Sequence, residues 1–214
     1  MTNEIQAVLW DFGGVILSSP FEAFNRYETE RGLPRDIIRQ VNATNPDSNA
    51  WALLERSDIS PADFDRLFAE ESHALGHRIP GADVLALLAG DVRPEMVRAL
   101  DHVIASGFRT ACLTNNVVST SPDPTPRQRE VAAIMAKFDY VVESSKVGCR
   151  KPEPRFYEIA CKLLEVSPTQ CVFLDDLGIN LKPAAAMGMR TIKVGDPSLA
   201  LRELSDHIGL DFHH

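Results

Sequence analysis

Five short apolar segments recur along the chain, and each of them ends in polar or small residues. They lie at residues 5–10, 109–113, 140–142, 171–174 and 191–194. Nearly uninterrupted hydrophobic runs of this length are typical of strands that are buried on both faces, as they are in a parallel sheet. The pattern therefore predicts five strands at the centre of an α/β domain.

Helical patterns lie between several of these strands. Apolar residues recur at helical spacing in residues 95–106 and 155–166. Pro154 suits the first turn of the second helix, where its missing N–H costs no hydrogen bond. The apolar residues that share one face of that helix are Phe156, Ile159, Ala160, Leu163 and Leu164. Strands that alternate with helices predict a doubly wound, Rossmann-like fold with a parallel sheet.

One long segment interrupts this alternation. Residues 18–89 contain no convincing strand pattern, but they contain helical patterns at residues 21–31, 34–41, 50–56 and 62–75. Pro, Asn, Asp and Gly separate these helices, which predicts a small four-helix bundle inserted after the first strand. We expect a core domain formed by residues 1–17 and 82–214, and a helical cap domain formed by residues 18–81.

Composition narrows the classes of partner. The chain has 214 residues, of which 30 are acidic and 22 basic, so its formal net charge is −8. This acidic balance argues against nucleic acid or an anionic membrane as the main partner. No apolar stretch approaches the roughly 18–20 residues that a membrane-spanning helix requires. The sequence leaves both a monomer and a homodimer open.

The cysteines and the N-terminus indicate a compartment. The four cysteines are scattered without a CxxC pair, so neither a zinc site nor a disulfide framework is expected; they are Cys112, Cys149, Cys161 and Cys171. The first ten residues lack the basic region and long apolar run of a secretory signal. We therefore expect a cytoplasmic protein with reduced thiols.

Chemistry-bearing residues follow four of the predicted strands. Asp11 follows the first strand, Thr114 and Asn115 end the second, Lys151 lies in the segment after the third, and the pair Asp175-Asp176 ends the fourth. In open parallel sheets, ligands bind beyond the carboxyl ends of the strands. An acid, a hydroxyl, a lysine and a pair of acids should therefore converge on one crevice.

Such a set of residues suits phosphoryl transfer. Carboxylates that lie close together repel one another unless a hard cation lies among them, and Mg²⁺ prefers oxygen ligands. One carboxylate can then act as a nucleophile, while the hydroxyl and the lysine balance the charge of the phosphoryl oxygens. Gly13 and Gly14 would let the chain turn tightly around the ion.

The four segments, in their order, resemble the four motifs of the haloacid dehalogenase (HAD) superfamily. The helical insertion resembles the first-site cap of that superfamily. More narrowly, residues 113–116, 147–154 and 173–189 resemble the N-terminal phosphatase domain of soluble epoxide hydrolases and the related domain of acyl-CoA dehydrogenase family member 10. The resemblance implies a Mg²⁺-dependent phosphatase that hydrolyses a small phosphorylated metabolite.

The resemblance also implies a role for each motif residue. Asp11 would be the nucleophile, which forms an aspartyl-phosphate, and also a Mg²⁺ ligand. The backbone carbonyl of Gly13 and the carboxylate of Asp176 would be the other metal ligands.

The remaining motif residues would act on the phosphoryl group. Thr114 and the backbone of Asn115 would contact it, and Lys151 would neutralise its charge and help orient the nucleophile. Asp175 would orient Lys151 or a water on the metal, and Asn180 would shape the loop that follows the acid pair.

One departure from the family pattern leaves alternatives open. Most phosphatases of this superfamily carry a second Asp two residues after the nucleophile as a general acid and base, and Gly13 occupies that position here. The enzyme would then favour weakly basic leaving groups, or receive the proton from a water or a cap residue such as Glu55 or Glu22, or bind phosphorylated ligands with little turnover. A 2-haloacid dehalogenase-type reaction is a further alternative, but it needs no metal, and the pair Asp175-Asp176 speaks against it.

Overall fold

A single parallel sheet forms the centre of the molecule. The computed structural model describes residues 4–88, 90–115 and 125–212, without the side chain of Glu22. Within these ranges the sheet has five strands in the order β3-β2-β1-β4-β5, and all four pairings are parallel. The strands are β1 Ala7–Trp10, β2 Arg109–Thr114, β3 Tyr140–Glu143, β4 Cys171–Asp175 and β5 Arg190–Lys193.

Helices cover both faces of this sheet. They are α6 Pro94–Ala105, α7 Pro126–Met135, α8 Ser144–Val147, α9 Pro154–Leu164, α10 Gly178–Ala186 and α11 Pro197–Ile208. The apolar faces of α6 and α11 pack with Val8 and Trp10 on one side of β1. Those of α9 and α10 pack with Ala7 and Leu9 on the other side. The doubly wound, Rossmann-like α/β fold is thus confirmed.

The elements between β1 and α6 are helical, as the sequence predicts. They are α1 Pro20–Glu30, α2 Ile37–Ala43, α3 Ala50–Glu55, α4 Pro61–Ala74 and α5 Gly81–Ala86. They share a hydrophobic core of their own, in which Phe24, Ile38, Phe64 and Phe68 are buried. We call α1–α5 the helical insertion.

A fifth helix, α5, follows the four helices that the sequence predicts. Val84, in the fifth helix, belongs to the same hydrophobic core as α1–α4. The chain leaves and re-enters the sheet domain where Leu17 bridges Val92 in antiparallel fashion, and the N–H of Arg93 donates to the carbonyl of Ile16 at 2.9 Å. We therefore move the boundary expected at residues 81–82 and propose a cap that ends just before Asp91.

Two further expectations concern membrane-spanning helices and the cysteines. Among the described residues, no helix has the length and the apolar character that crossing a bilayer requires. All four cysteines are free and buried.

Candidate active site

The register of the sheet brings two of the predicted acids together. Trp10 of β1 pairs with Leu174 of β4, and both strands end at their carboxyl edge within one residue of this pair. The N–H of Asp11 donates to the carbonyl of Leu174 at 2.8 Å, which continues the pairing beyond β1. Asp11 and Asp175 therefore lie side by side at the carboxyl edge of the sheet.

Lys151 lies between these two acids. Its Nζ is 2.7 Å from Asp11 Oδ1 and 2.8 Å from Asp175 Oδ2, and the side chain is only 1% exposed. Burial by itself disfavours the charged amine, but the attraction of the two carboxylates outweighs it and raises the pKa of Lys151 above its usual value. The lysine is therefore a fixed cation at neutral pH.

The carboxylate of Asp175 is held from the other side by Asn180. The amide nitrogen of Asn180 lies 3.1 and 3.0 Å from the two oxygens of Asp175, and the N–H of Leu177 donates to Oδ1 at 2.8 Å. The hydroxyl of Tyr157 in turn donates to the backbone carbonyl of Asn180 at 2.7 Å. These contacts fix the position of Asp175 and, through it, that of Lys151.

A third acid completes the cluster. Oxygens of Asp11, Asp175 and Asp176 all lie within 4.8 Å of one another. Burial raises the pKa of Asp11 well above its usual value, and the charges of Asp175 and Asp176 add to this effect against the opposing charge of Lys151. Burial and the charge of Asp175 also raise the pKa of Asp176 to about 6, although Ser19 Oγ donates to it at 3.2 Å. The single lysine does not balance the three acids.

The glycines after β1 make room for this cluster. Gly14 adopts a left-handed conformation with φ of 78°, and a Cβ at this position would lie 2.2 Å from Asp176 Oδ2. Gly13 has φ of −72° and ψ of 132°, which any residue adopts. A Cβ on Gly13 would meet no atom within 4 Å in the described structure. The carboxylate of Asp176 therefore lies against the backbone of Gly14.

The donor set fits a magnesium ion. Its members are carboxylate oxygens of Asp11, Asp175 and Asp176, and Mg²⁺ binds such hard ligands in preference to nitrogen or sulfur. Their uncompensated negative charge and their raised pKa values also match a place that a divalent cation would neutralise.

The phosphoryl-binding candidates lie beside this cluster. Thr114 is the last residue of β2 and is 8% exposed. The side chain of Asn115 pairs with the main chain of Lys151, since it accepts from the N–H at 2.9 Å and donates to the carbonyl at 3.0 Å. This amide contact holds the loop of Lys151 against the end of β2. Asn116 lies outside the described residues.

The helical insertion contributes one acid to the same region. This acid is Glu55, at the end of α3. Its Oε2 lies 3.3 Å from Nδ2 of Asn115 and 2.9 Å from Nη1 of Arg150. Its Oε1 accepts a hydrogen bond from the indole N–H of Trp51 at 2.9 Å. Burial raises the pKa of Glu55 to about 7, although Arg150, Trp51, Lys151 and Asn115 all favour the carboxylate.

Sequence reasoning missed part of this arrangement. Arg150 was not expected to contact the site, although its place directly before Lys151 is a usable signal. Ser19 carries no such signal, because its contact with Asp176 joins segments that are far apart in the chain. Trp51 lies four residues before Glu55 on α3, which is a usable local signal. The side chain of Glu22 lies outside the described part of the chain.

Comparison with known proteins supports a family assignment. A family model for haloacid dehalogenase-like hydrolases matches residues 5–188. Acyl-CoA dehydrogenase family member 10 of Mus musculus is 33% identical over 97% of this chain, which covers 20% of that protein. Bifunctional epoxide hydrolase 2 of Mus musculus is 31% identical over 97% of this chain, which covers 40% of that protein. The chain thus spans well under half the length of these two relatives.

A relative of similar length and a solved structure agree with this assignment. Phosphatase MT3486 of Mycobacterium tuberculosis is 31% identical over 89% of this chain and 87% of that protein. A HAD family enzyme of Bacteroides thetaiotaomicron, solved with magnesium and inorganic phosphate, has the same fold with a TM-score of 0.59 and 18% identity, over 90% of this chain and 96% of that chain. The resemblance of the sequence to this superfamily, to epoxide hydrolases and to acyl-CoA dehydrogenase family member 10 is confirmed, and the chain belongs to the haloacid dehalogenase-like hydrolase family.

Proposed function

We propose that this protein is a magnesium-dependent phosphatase that hydrolyses a small phosphorylated metabolite through an aspartyl-phosphate on Asp11. The observation that carries the proposal is the group of three carboxylates within 4.8 Å of one another, with one buried lysine between two of them. A divalent cation among the three carboxylates would neutralise their charge, and together with Lys151 it would balance the charge of an incoming phosphate. The phosphatase among the relatives of similar length supports the same reaction class.

Asp11, the carbonyl of Gly13 and Asp176 would hold the magnesium ion. When bound, Mg²⁺ supplies positive charge that neutralises the acids and the phosphoryl oxygens. The close approach of Asp176 to Gly14 supports this assignment, since a side chain at position 14 would displace the carboxylate.

The residues of the second and third motifs would bind the phosphoryl group. Thr114 and the N–H of Asn115 would donate to its oxygens, and Lys151 would neutralise their charge. Lys151 also orients Asp11 from 2.7 Å. Of the two roles expected for Asp175, the 2.8 Å contact with Lys151 favours the orientation of that lysine.

The proposed reaction has two steps. A carboxylate oxygen of Asp11 attacks phosphorus, the bond to the ester oxygen breaks, and the leaving oxygen acquires a proton. Water then attacks the phosphorus of the aspartyl-phosphate, which releases inorganic phosphate and restores Asp11.

Phosphate release from a panel of phosphate esters, with and without Mg²⁺, tests this proposal. We expect Mg²⁺-dependent release that Asp11→Asn abolishes and that Asp206→Asn, an exposed change on α11, leaves intact. Mass spectrometry of the acid-quenched protein should detect the phosphorylated Asp11 peptide. Activity that persists in Asp11→Asn would show that the nucleophile is another residue.

The same assays separate the alternatives. Chloride release from a 2-haloacid in the presence of a chelator would identify a dehalogenase. Mg²⁺-dependent binding of phosphate esters without release of phosphate, and without a phosphorylated Asp11, would identify a binding protein.

A further inference from the structure

A phosphatase with Gly13 lacks the usual proton donor next to its nucleophile. An alkoxide leaving group is strongly basic, and a positioned acid typically contributes about 10²–10⁴ in rate. Asp175 is bound to Lys151 and Asn180, and Asp176 belongs to the proposed metal site. Neither of these acids is placed to protonate the leaving group.

The helical insertion holds a different acid against the phosphoryl-binding loops. We propose that Glu55 is the general acid and base of this phosphatase, which protonates the leaving oxygen and later accepts a proton from the attacking water. This inference rests on the proposed function and adds a catalytic residue to it.

The position of Glu55 is the first argument. Its carboxyl lies 3.3 Å from the amide nitrogen of Asn115, the residue whose backbone would bind the phosphoryl group. In phosphoryl transfer the attacking and leaving oxygens lie roughly in line. Because Asp11 attacks from the end of β1, the leaving group departs on the side away from the sheet. The helical insertion provides the Glu55 carboxyl from α3.

The rigidity of this position is the second argument. The hydroxyl of Ser144 donates to the backbone carbonyl of Glu55 at 2.5 Å. The next residue, Arg56, forms an ion pair with Glu153 of the core at 2.9 Å. The end of α3 is therefore attached to the core through Glu55 itself and through the residue that follows it, and general acids act efficiently only when they are held in place.

The electrostatic surroundings are the third argument. The groups that face the carboxyl are Arg150 at 2.9 Å, the indole N–H of Trp51 and the amide of Asn115, with the charge of Lys151 behind them. Glu55 is 5% exposed, and burial raises its pKa to about 7 against all of these groups. Both protonation states are therefore accessible near neutral pH, which suits a residue that alternately gives and takes a proton.

Glu55 gives up a proton in the first step and regains one in the second. As the bond between phosphorus and the ester oxygen breaks, Glu55 transfers its proton to that oxygen and becomes a carboxylate next to Arg150. As water attacks the aspartyl-phosphate, the carboxylate of Glu55 takes the proton of that water. The enzyme returns to its starting state, and no further reactant is needed.

A comparison of leaving groups tests the proposal. We expect Glu55→Gln to lower kcat/KM for n-butyl phosphate by about 10²–10⁴ and to change it less than about tenfold for p-nitrophenyl phosphate, whose leaving group needs no proton. The fall in kcat for n-butyl phosphate as pH rises through about 7 should disappear in this variant. Addition of an acid at the usual position, in the double variant Gly13→Asp/Glu55→Gln, should restore turnover of the alkyl ester.

Two controls separate catalysis from structure. Glu153→Gln removes another carboxylate at the contact between α3 and the core. It should therefore lower kcat/KM for both substrates equally and only slightly. Equal losses for both esters in Glu55→Gln would overturn the proposal, because a residue that only holds the insertion in place does not distinguish leaving groups.

A titration of the metal-free protein gives an answer that needs no turnover. The carboxyl carbon of Glu55, assigned in ¹³C NMR spectra by its absence from Glu55→Gln, should titrate near pH 7. A pKa below about 5, close to the usual value for Glu, would overturn the acid role whether or not the protein hydrolyses any phosphate ester. Loss of all activity in Asp11→Asn, by contrast, bears only on the proposed function.

Discussion

Replacement of Lys151 by Met should destabilise the protein strongly at neutral pH. Met retains an unbranched stem of similar length, so packing changes little, but the cation between Asp11 and Asp175 is lost. Both carboxylates are buried, and their contacts with Nζ are 2.7 and 2.8 Å. Removal of one partner from a buried ion pair typically costs about 3–5 kcal/mol, because the remaining charge stays buried without compensation.

The expected change is large enough to measure in two ways. For a chain of this size, each kcal/mol lowers Tm by roughly 2–4 °C, so Lys151→Met should melt about 6–20 °C below the unmodified protein. Urea unfolding should show the same loss of free energy. Lys182→Met, an exposed substitution on α10, should change the free energy of unfolding by less than about 0.5 kcal/mol.

The pH dependence of this loss gives a further check. Without Lys151 the folded-state pKa of Asp11, which burial already raises, should rise further above its unfolded value. An acid with a raised pKa binds more protons in the folded state than in the unfolded state. The free energy of unfolding therefore falls as pH rises from the pKa of the acid in the unfolded state to its pKa in the folded state. The deficit of Lys151→Met should therefore be smaller at about pH 5 than at about pH 7.5. If Lys151→Met were as stable as Lys182→Met at neutral pH, the account of a buried, charge-balancing lysine would be wrong.

The remaining predictions concern the turn, the acid cluster and its support. Gly14→Ala should lose about 1–2 kcal/mol in urea unfolding from its left-handed backbone alone, and more because its Cβ would overlap Asp176, whereas Gly13→Ala should gain about 0.4–1 kcal/mol; similar effects of the two changes would contradict the described turn. Because the pKa of Asp176 is raised to about 6, the folded protein without metal favours the protonated acid. Its free energy of unfolding should therefore fall as pH rises from about 4 to about 6. Mg²⁺ should accordingly raise Tm more at about pH 7.5 than at about pH 5, and Asp176→Asn should weaken both trends in thermal melts, with Asp11 accounting for what remains. Asn180→Ala removes the amide that donates to both oxygens of Asp175 and should cost about 1.5–3 kcal/mol; a loss below about 0.5 kcal/mol would show that the contact is dispensable.

The strands could be predicted from the sequence because each is marked by a short run of apolar residues, which is a local feature. Every predicted strand is present in the described chain, with bounds that shift by no more than two residues. β1 is apolar at each position because both of its faces are covered by helices. By contrast, α10 was not predicted, since Pro183 interrupts a short run of small and apolar residues that has no clear polar face. α5 was likewise not predicted, because it is defined by its packing on Phe64 and its neighbours and not by its own pattern.

The order of the motif residues at the ends of the strands follows from the amino-acid sequence, and a parallel sheet gathers such residues at one edge. The sequence therefore predicts that Asp11, Lys151 and Asp175 lie close together. Which side chains from other segments reach the same edge depends instead on long-range packing. The contact of Glu55 with Asn115 and Arg150 depends on where α3 lies against the core. No periodicity within residues 50–56 encodes that position, because it results from packing between segments that are distant along the chain.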